Sequence, residues 1–144
     1  GDVQVMSAGS GVQHAEWNEE DEATTLFQLW IQPREAGGAP SWGARKFPKD
    51  DRSGSWAVFA SGTGENDSLM IKQDAKVLGA TLKAGETLTY DMAAGRHGYL
   101  VLAAGSARLN GEVLNARDGA AFTGAEHILL EGIDNAEIVF VDTV

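Results

Sequence analysis

Short apolar stretches separated by turns rich in glycine, asparagine and aspartate follow one another from residue 56 to the end of the chain. They recur about every 8–12 residues, a spacing typical of a β-sandwich or β-barrel. The predicted strands are residues 56–61, 68–73, 75–82, 87–92, 99–103, 106–109, 112–114, 120–123, 127–131 and 136–141. Asn110-Gly111 favours the type I′ turn of a two-residue hairpin. Helical periodicity is sustained nowhere, so the sequence predicts an all-β fold.

The first third of the chain also carries strand patterns. Three segments are predicted strands: residues 3–6, 12–17 and 25–32. The third is the strongest, because Phe27, Leu29 and Ile31 share one fully apolar face. Residues 33–55 are rich in proline, glycine and charge, which predicts a long connection between two structural units.

Composition restricts the possible partners. A net charge of −10 disfavours binding to nucleic acid or to an anionic membrane. No apolar stretch approaches the roughly 18 residues that a membrane-spanning helix needs. Cysteine is absent, which rules out disulfides and thiolate metal sites and is compatible with a reducing compartment. We therefore expect a cytoplasmic location and neither a nucleic-acid nor a membrane partner.

His14 and Glu16 are the candidate metal ligands. In a strand, residues two apart point to the same face, so an imidazole and a carboxylate would converge on one spot. Such a pair suits several first-row metals, but a metal site needs three or four protein ligands. The spacing alone leaves two interpretations open, half of a metal site or a solvent-facing polar pair.

Other polar and aromatic residues have simpler interpretations. His97 fits a solvated turn and His127 a structural position at the start of a strand. The acidic run at residues 19–22 is predicted to be a solvated loop, although it could bind a cation. Trp17, which neighbours the His14 and Glu16 pair, is the tryptophan best placed to line a ligand pocket. No nucleophilic triad or phosphate-binding loop is evident.

The segment from Gly1 to Asn18, followed by the apolar residues 26–31, resembles the pirin family. The general second cupin motif has a glycine, a strand, a Pro-x-Gly turn and His-x-x-x-Asn. Here Gly1 opens the motif, Ser7 replaces the usual proline, and His14 and Asn18 keep the closing spacing. Two extra residues precede His14, a departure from the general cupin motif that is typical of pirin-like proteins.

This resemblance implies a fold and a domain organisation. Pirins contain two cupin domains, so the expected fold is an all-β cupin, a jelly-roll sandwich, preceded by an N-terminal arm of strands. Residues 1–34 would be the closing strands of a first cupin, residues 35–54 a linker, and residues 55–144 the C-terminal cupin domain.

The resemblance also implies a metal site. In pirins the metal, usually iron, is held by an upstream His-x-His together with a histidine and a glutamate of this segment. The last two roles would fall on His14 and Glu16, and the His-x-His would lie on strands before Gly1. The second cupin usually holds no metal, and residues 55–144 contain no histidine pair for one. We therefore expect iron or another divalent metal to bind weakly, or not at all, to this chain alone.

Two functional hypotheses follow. The chain is a non-catalytic or regulatory part of a pirin-like bicupin, acting through protein contacts. Alternatively, it belongs to a metal-dependent quercetin 2,3-dioxygenase that acts on a flavonol-like molecule, with Glu16 as the general base. In either case the apolar residues of the 1–34 segment need cover, which predicts a homo-oligomer or a separate polypeptide carrying the first cupin.

Overall fold

A computed structural model describes all residues from Gly1 to Val144 and contains twelve β-strands. The strands are β1 (Asp2–Ser7), β2 (Ser41–Lys46), β3 (Ala57–Ser61), β4 (Leu69–Met70), β5 (Ala75–Leu82), β6 (Thr87–Met92), β7 (His97–Ala104), β8 (Ser106–Leu109), β9 (Glu112–Asn115), β10 (Gly119–Thr123), β11 (Glu126–Gly132) and β12 (Ala136–Thr143). The only helical elements are single 3₁₀ turns at Asp50–Arg52 and Glu65–Asp67. The all-β prediction is confirmed. The structure has no helix with the length and apolar character that crossing a membrane requires.

Strands β3 to β12 form two sheets packed face to face. The larger sheet has the order β10-β7-β12-β5-β3-β4, and the smaller one the order β6-β11-β8-β9. All pairs are antiparallel except β3 with β4. The Asn110-Gly111 hairpin is confirmed: it joins β8 to β9, with Leu109 opposite Glu112 and both turn residues at positive φ.

The core between the two sheets follows from the alternation of side chains along the strands, which is clearest in β12. Along β12, the buried positions are Ala136, Ile138, Phe140 and Asp142. Phe140 is fully buried and contacts the rings of Trp56, Tyr90 and Phe122, with centroids 5.0–6.0 Å away. Aromatic and aliphatic side chains therefore fill the interior of the sandwich.

Strands β1 and β2 form a separate antiparallel ribbon that lies on the outer face of the larger sheet. Val3 and Val5 point toward this face and pack with Phe59 and Val77. Gln4 lies on the opposite face of β1, because neighbouring residues in a strand alternate. One face of β1 thus anchors the ribbon, and the other is available for a site.

Two strand predictions in the first third of the chain are wrong. Residues 12–17 and 25–32 are not strands, because no neighbouring strand pairs with them: residues 12–32 make no backbone–backbone hydrogen bond. Of the predicted apolar face, Phe27 and Leu29 are exposed, and only Ile31 packs against the domain. The N-terminal arm is therefore a single strand followed by irregular chain.

The predicted connection at residues 33–55 contains a strand that the sequence pattern did not indicate. Strand β2 lies inside it and pairs along its full length with β1, with Gln4 opposite Ala44. The 3₁₀ turn at Asp50–Arg52 also falls in this connection. The boundaries of the three predicted units, 1–34, 35–54 and 55–144, remain predictions.

Candidate metal centre

The turn after β1 places the candidate ligands. Gly9 has a φ of 55°, and a Cβ at this position would come within 2.5 Å of the carbonyl oxygen of Gly38, so only glycine fits without a shift of the backbone. The amide of Ser10 donates to the same carbonyl at 2.9 Å. The chain is thus fixed to residues 38–40 before it turns back past β1 toward His14.

The structure brings His14 and Glu16 together at the surface. Their side chains approach to 3.9 Å between Nδ1 and Oε1, and both are a little over 40% exposed. This distance is too long for a hydrogen bond. His14 makes no hydrogen bond with any other residue of the chain, so both ring nitrogens are available. The convergence predicted from the two-residue spacing is therefore present, although the segment is not a strand.

Gln4 holds Glu16 in place. Its side-chain amide donates a hydrogen bond to Glu16 Oε1, and its own carbonyl oxygen accepts one from the indole N–H of Trp42 at 3.4 Å. The three side chains thus connect β1, β2 and the loop that carries the candidate ligands. Gln4 was not identified from the sequence, because its contacts with Trp42 and Glu16 depend on the pairing of β1 with β2.

An open cleft of about 470 Å³ surrounds this pair. Its lining combines the polar groups with the apolar side chains of Met6, Val12 and Trp42. The prediction that Trp17 lines a pocket is wrong, since its side chain is 85% exposed and does not line the cleft. Trp42 is the tryptophan at this site. A cleft of this volume with a few polar groups suits a small aromatic ligand.

The chain supplies only two ligands to this candidate centre. Across residues 1–144, no three His, Cys, Asp or Glu side chains converge in a way that could hold a metal ion. His97 begins β7, and His127 on β11 contacts Asp91 at 2.6 Å. The imidazole and carboxylate present fit the donor chemistry of a first-row divalent metal, but two protein ligands alone do not make a tight site.

Asn18 organises the acidic loop that follows the site. Its side-chain oxygen accepts hydrogen bonds from the amide of Glu20 at 3.2 Å and the hydroxyl of Thr24 at 3.3 Å. Its side-chain amide donates to the carbonyl of Glu22 at 2.7 Å. Because the acidic side chains of this loop are exposed, the loop agrees with the prediction of a solvated segment.

A second polar cluster lies within the sandwich and was not identified from the sequence. Asp142, 3% exposed, accepts hydrogen bonds from the Tyr90 hydroxyl and from Arg96 Nε, both at 2.5 Å. Arg96 also donates to Asp74 at 3.1 Å. Asp142 occupies an inward position of β12. An acidic residue at a buried position of an otherwise apolar alternation is the sequence signal that could have identified this cluster.

The electrostatics of this cluster follow from burial and pairing. Burial raises the pKa of Tyr90 above its ordinary value, and the hydrogen bond with Asp142 raises it further. Burial lowers the pKa of Arg96, but its hydrogen bonds to Asp142 and Asp74 outweigh this effect, so the net shift is upward. The cluster is a closed set of partnered charges, which indicates a structural role.

Comparisons with known proteins agree with these observations. The family model described as the quercetinase C-terminal cupin domain matches residues 58–143, and the one described as pirin matches residues 1–31. A pirin-like protein of Caulobacter vibrioides is 57% identical over 143 residues, which are 99% of this chain and 62% of that protein. The quercetin 2,3-dioxygenase of Escherichia coli K12 is 30% identical over 143 residues, 99% of this chain and 61% of that protein.

A solved structure shares the fold. The crystal structure of the bacterial pirin YhhW from Escherichia coli in complex with nickel(II) matches with a TM-score of 0.72 at 24% sequence identity. The match covers 79% of this chain and 48% of that chain.

The two packed antiparallel sheets define a cupin-type β-sandwich. The chain belongs to the pirin family. It spans about three fifths of the length of the curated relatives it matches.

Proposed function

We propose that His14 and Glu16 are two ligands of a divalent metal whose remaining ligands come from polypeptide outside residues 1–144. The observation that carries this proposal is the convergence of the two side chains in an open cleft, with Glu16 fixed by Gln4. The donor chemistry of the pair supports a divalent metal, and the bacterial pirin YhhW, which shares the fold, was solved in complex with nickel(II). Iron and nickel are both compatible with one imidazole and one carboxylate.

With the coordination sphere completed, the proposed activity is that of a quercetin 2,3-dioxygenase. The relative from Escherichia coli K12 carries this name, and the cleft has the size for a flat flavonol. A bound divalent metal would supply Lewis-acid chemistry to the substrate. The residues of this chain would provide an apolar wall from Met6 and Trp42, and Glu16 would accept the proton of a substrate hydroxyl at a carboxylate oxygen.

As an isolated chain, the protein is proposed to be non-catalytic, because two ligands do not hold a metal tightly. A regulatory role through protein contact is the second candidate. It is favoured by the apolar side chains that residues 1–34 leave exposed, among them Leu26 at 66% and Trp30 at 89%. These side chains are proposed to contact the strands of a first cupin or, in the isolated chain, a second copy.

A quercetin-consumption assay tests the catalytic part of the proposal. We expect no turnover by residues 1–144 with added Fe(II) or Ni(II). Turnover is expected when the first-cupin segment of the Caulobacter relative is supplied, and it should be lost with His14→Ala. His97→Ala, at an exposed histidine on β7, is the matched control and should keep activity. Turnover by the reconstituted protein that survives His14→Ala would refute the proposed site.

A further inference from the structure

A second cleft, of about 330 Å³, lies between β2 and the start of β3. Three cationic residues line it, Arg45, Lys46 and Arg52, with Asp51 as the one acidic residue. A local excess of positive charge is unexpected in a chain with a net charge of −10. None of the three cations is in an ion pair with a carboxylate of the chain.

Arg52 is the unusual member of this set, because it is buried without a counter-ion. It is 6% exposed, and its Nε has no hydrogen-bond partner. Its guanidinium lies over the ring of Phe59 at 5.0 Å. Burial lowers the pKa of Arg52 while the charge on Glu137 opposes the shift, but the carboxylate of Glu137 is already paired with Lys49. Burying a cation without a paired anion costs free energy, so a buried arginine of this kind is a candidate for binding an anion.

The backbone makes room for this arginine. A Cβ added to Gly79 on β5 would lie 1.9 Å from the ring of Phe59 and 2.9 Å from Nη1 of Arg52. Glycine at this position therefore allows the ring and the guanidinium to lie directly on the sheet. The fold therefore fixes the position of the Arg52 side chain.

The other two cations are neighbouring residues of β2. Arg45 lies over the ring of Phe47 at 5.4 Å, and its only side-chain hydrogen bond is to the backbone carbonyl of Asp67. Lys46 follows Arg45 in the strand, so its exposed side chain points to the opposite face. The remainder of the lining is apolar and includes Trp56 and Val58. The cleft thus combines cations with an aromatic and aliphatic wall.

We propose that this cleft binds a small organic anion that carries a carboxylate or phosphate group on a flat apolar body. The guanidinium groups of Arg45 and Arg52 have the geometry that recognises either oxyanion. The rings of Phe47 and Trp56 provide the surface for the apolar body. The site lies apart from His14 and Glu16, since the two clefts share no lining residue, and it does not depend on a bound metal.

Isothermal titration calorimetry at low ionic strength tests this site with three probes: benzoate, phenyl phosphate and inorganic phosphate. We expect saturable binding of one or both aromatic anions at one site per chain. Arg45→Gln, at an exposed position, should weaken binding roughly threefold to tenfold. Arg108→Gln, an exposed arginine on β8, is the matched control and should leave binding unchanged.

The variants separate binding from folding. Arg52→Gln should abolish binding, and a thermal unfolding curve recorded beside it reports whether the domain still folds. If the Arg52→Gln domain does not fold, the exposed variant Arg45→Gln decides the result. Tighter binding of phenyl phosphate assigns the site to phosphate esters, and tighter binding of benzoate assigns it to carboxylates. Inorganic phosphate binding as tightly as phenyl phosphate, no saturable binding of either aromatic anion, or affinity unchanged by Arg45→Gln would each overturn the proposal.

Discussion

The side-chain amide of Gln4 donates a hydrogen bond to the carboxylate of Glu16, and this contact links the first strand to the candidate metal ligands. Strand alternation turns Val3 and Val5 toward the larger sheet and leaves Gln4 on the opposite face. Trp42 donates to the carbonyl oxygen of Gln4 at 3.4 Å and thereby orients the amide. The ribbon that anchors the first residues to the cupin domain therefore also positions Glu16.

Replacing Gln4 by alanine should weaken metal binding without unfolding the protein. Residues that orient a metal ligand typically contribute tenfold or more to affinity, so we expect a roughly tenfold loss of Ni(II) affinity. Gln4 is exposed, so the thermal midpoint should change little. Gln13→Ala, an exposed glutamine without such a hydrogen bond, is the control. Equal Ni(II) affinity of the two variants would show that the contact with Glu16 does not support a site.

The buried carboxylate of Asp142 should be the most sensitive polar position of the domain. In Asp142→Asn, Arg96 loses the more buried of its two carboxylate partners and keeps only the half-exposed Asp74. The neutral amide also replaces the buried acceptor of Tyr90, so we expect a loss of about 2 kcal/mol in the free energy of unfolding. Urea unfolding measures it. Asp91→Asn, at an exposed contact with His127, should have a small effect, and equal effects of the two variants would contradict the account.

The raised pKa of Tyr90 predicts a loss of stability at alkaline pH. Burial and the hydrogen bond to Asp142 favour the neutral hydroxyl in the folded state. The neutral hydroxyl therefore makes its full contribution to the stability of the fold below the pKa of an unfolded tyrosine, which is about 10. This contribution is lost as the pH rises through the higher pKa of the folded state. In a spectrophotometric titration of the folded protein, the phase removed by Tyr90→Phe should lie above pH 10. A phase at or below pH 10 would show that the folded state does not favour the neutral hydroxyl of Tyr90.

The exposed apolar side chains of residues 1–34 predict self-association of the isolated chain. Leu26 and Trp30 are 66% and 89% exposed, and burying such side chains contributes roughly 1.5–3 kcal/mol each. Size-exclusion chromatography with light scattering should give a multimer whose mass falls toward the monomer in the double variant Leu26→Ser, Trp30→Ser. Val113→Ser, at an exposed valine of β9, should leave the multimer intact. A monomeric unsubstituted chain would count against this interface.

The sequence predicted correctly those strands whose signal lies in their own residues and turns. The alternation of residues 75–82 and the Asn110-Gly111 turn appear in the structure as β5 and the β8–β9 hairpin. Strand propensity gave wrong predictions where pairing with a distant strand decides whether a segment becomes a strand. Residues 25–32 have a strand composition but no hydrogen-bonded neighbour, whereas Ser41–Lys46, with Gly43 and two cations, becomes a strand because β1 pairs with it.

The candidate site was predictable only in part. The structure brings His14 and Glu16 together at 3.9 Å, but the strand from which their convergence was predicted does not form. The contacts of Gln4 with Glu16 and Trp42 were not predictable, because they depend on the pairing of strands that are distant in sequence. The burial of Arg52 was also unpredictable, since it depends on the space that Gly79 leaves on a neighbouring strand.

The most direct test of the central claim is a Ni(II) titration of the 144-residue chain by calorimetry, with His14→Ala and His97→Ala as a matched pair. If His14 and Glu16 form half of a metal site, the unsubstituted chain should bind one Ni(II) weakly. His14→Ala should abolish this binding, and His97→Ala should leave it unchanged. Binding that persists in His14→Ala, or that is lost in His97→Ala, would contradict the account.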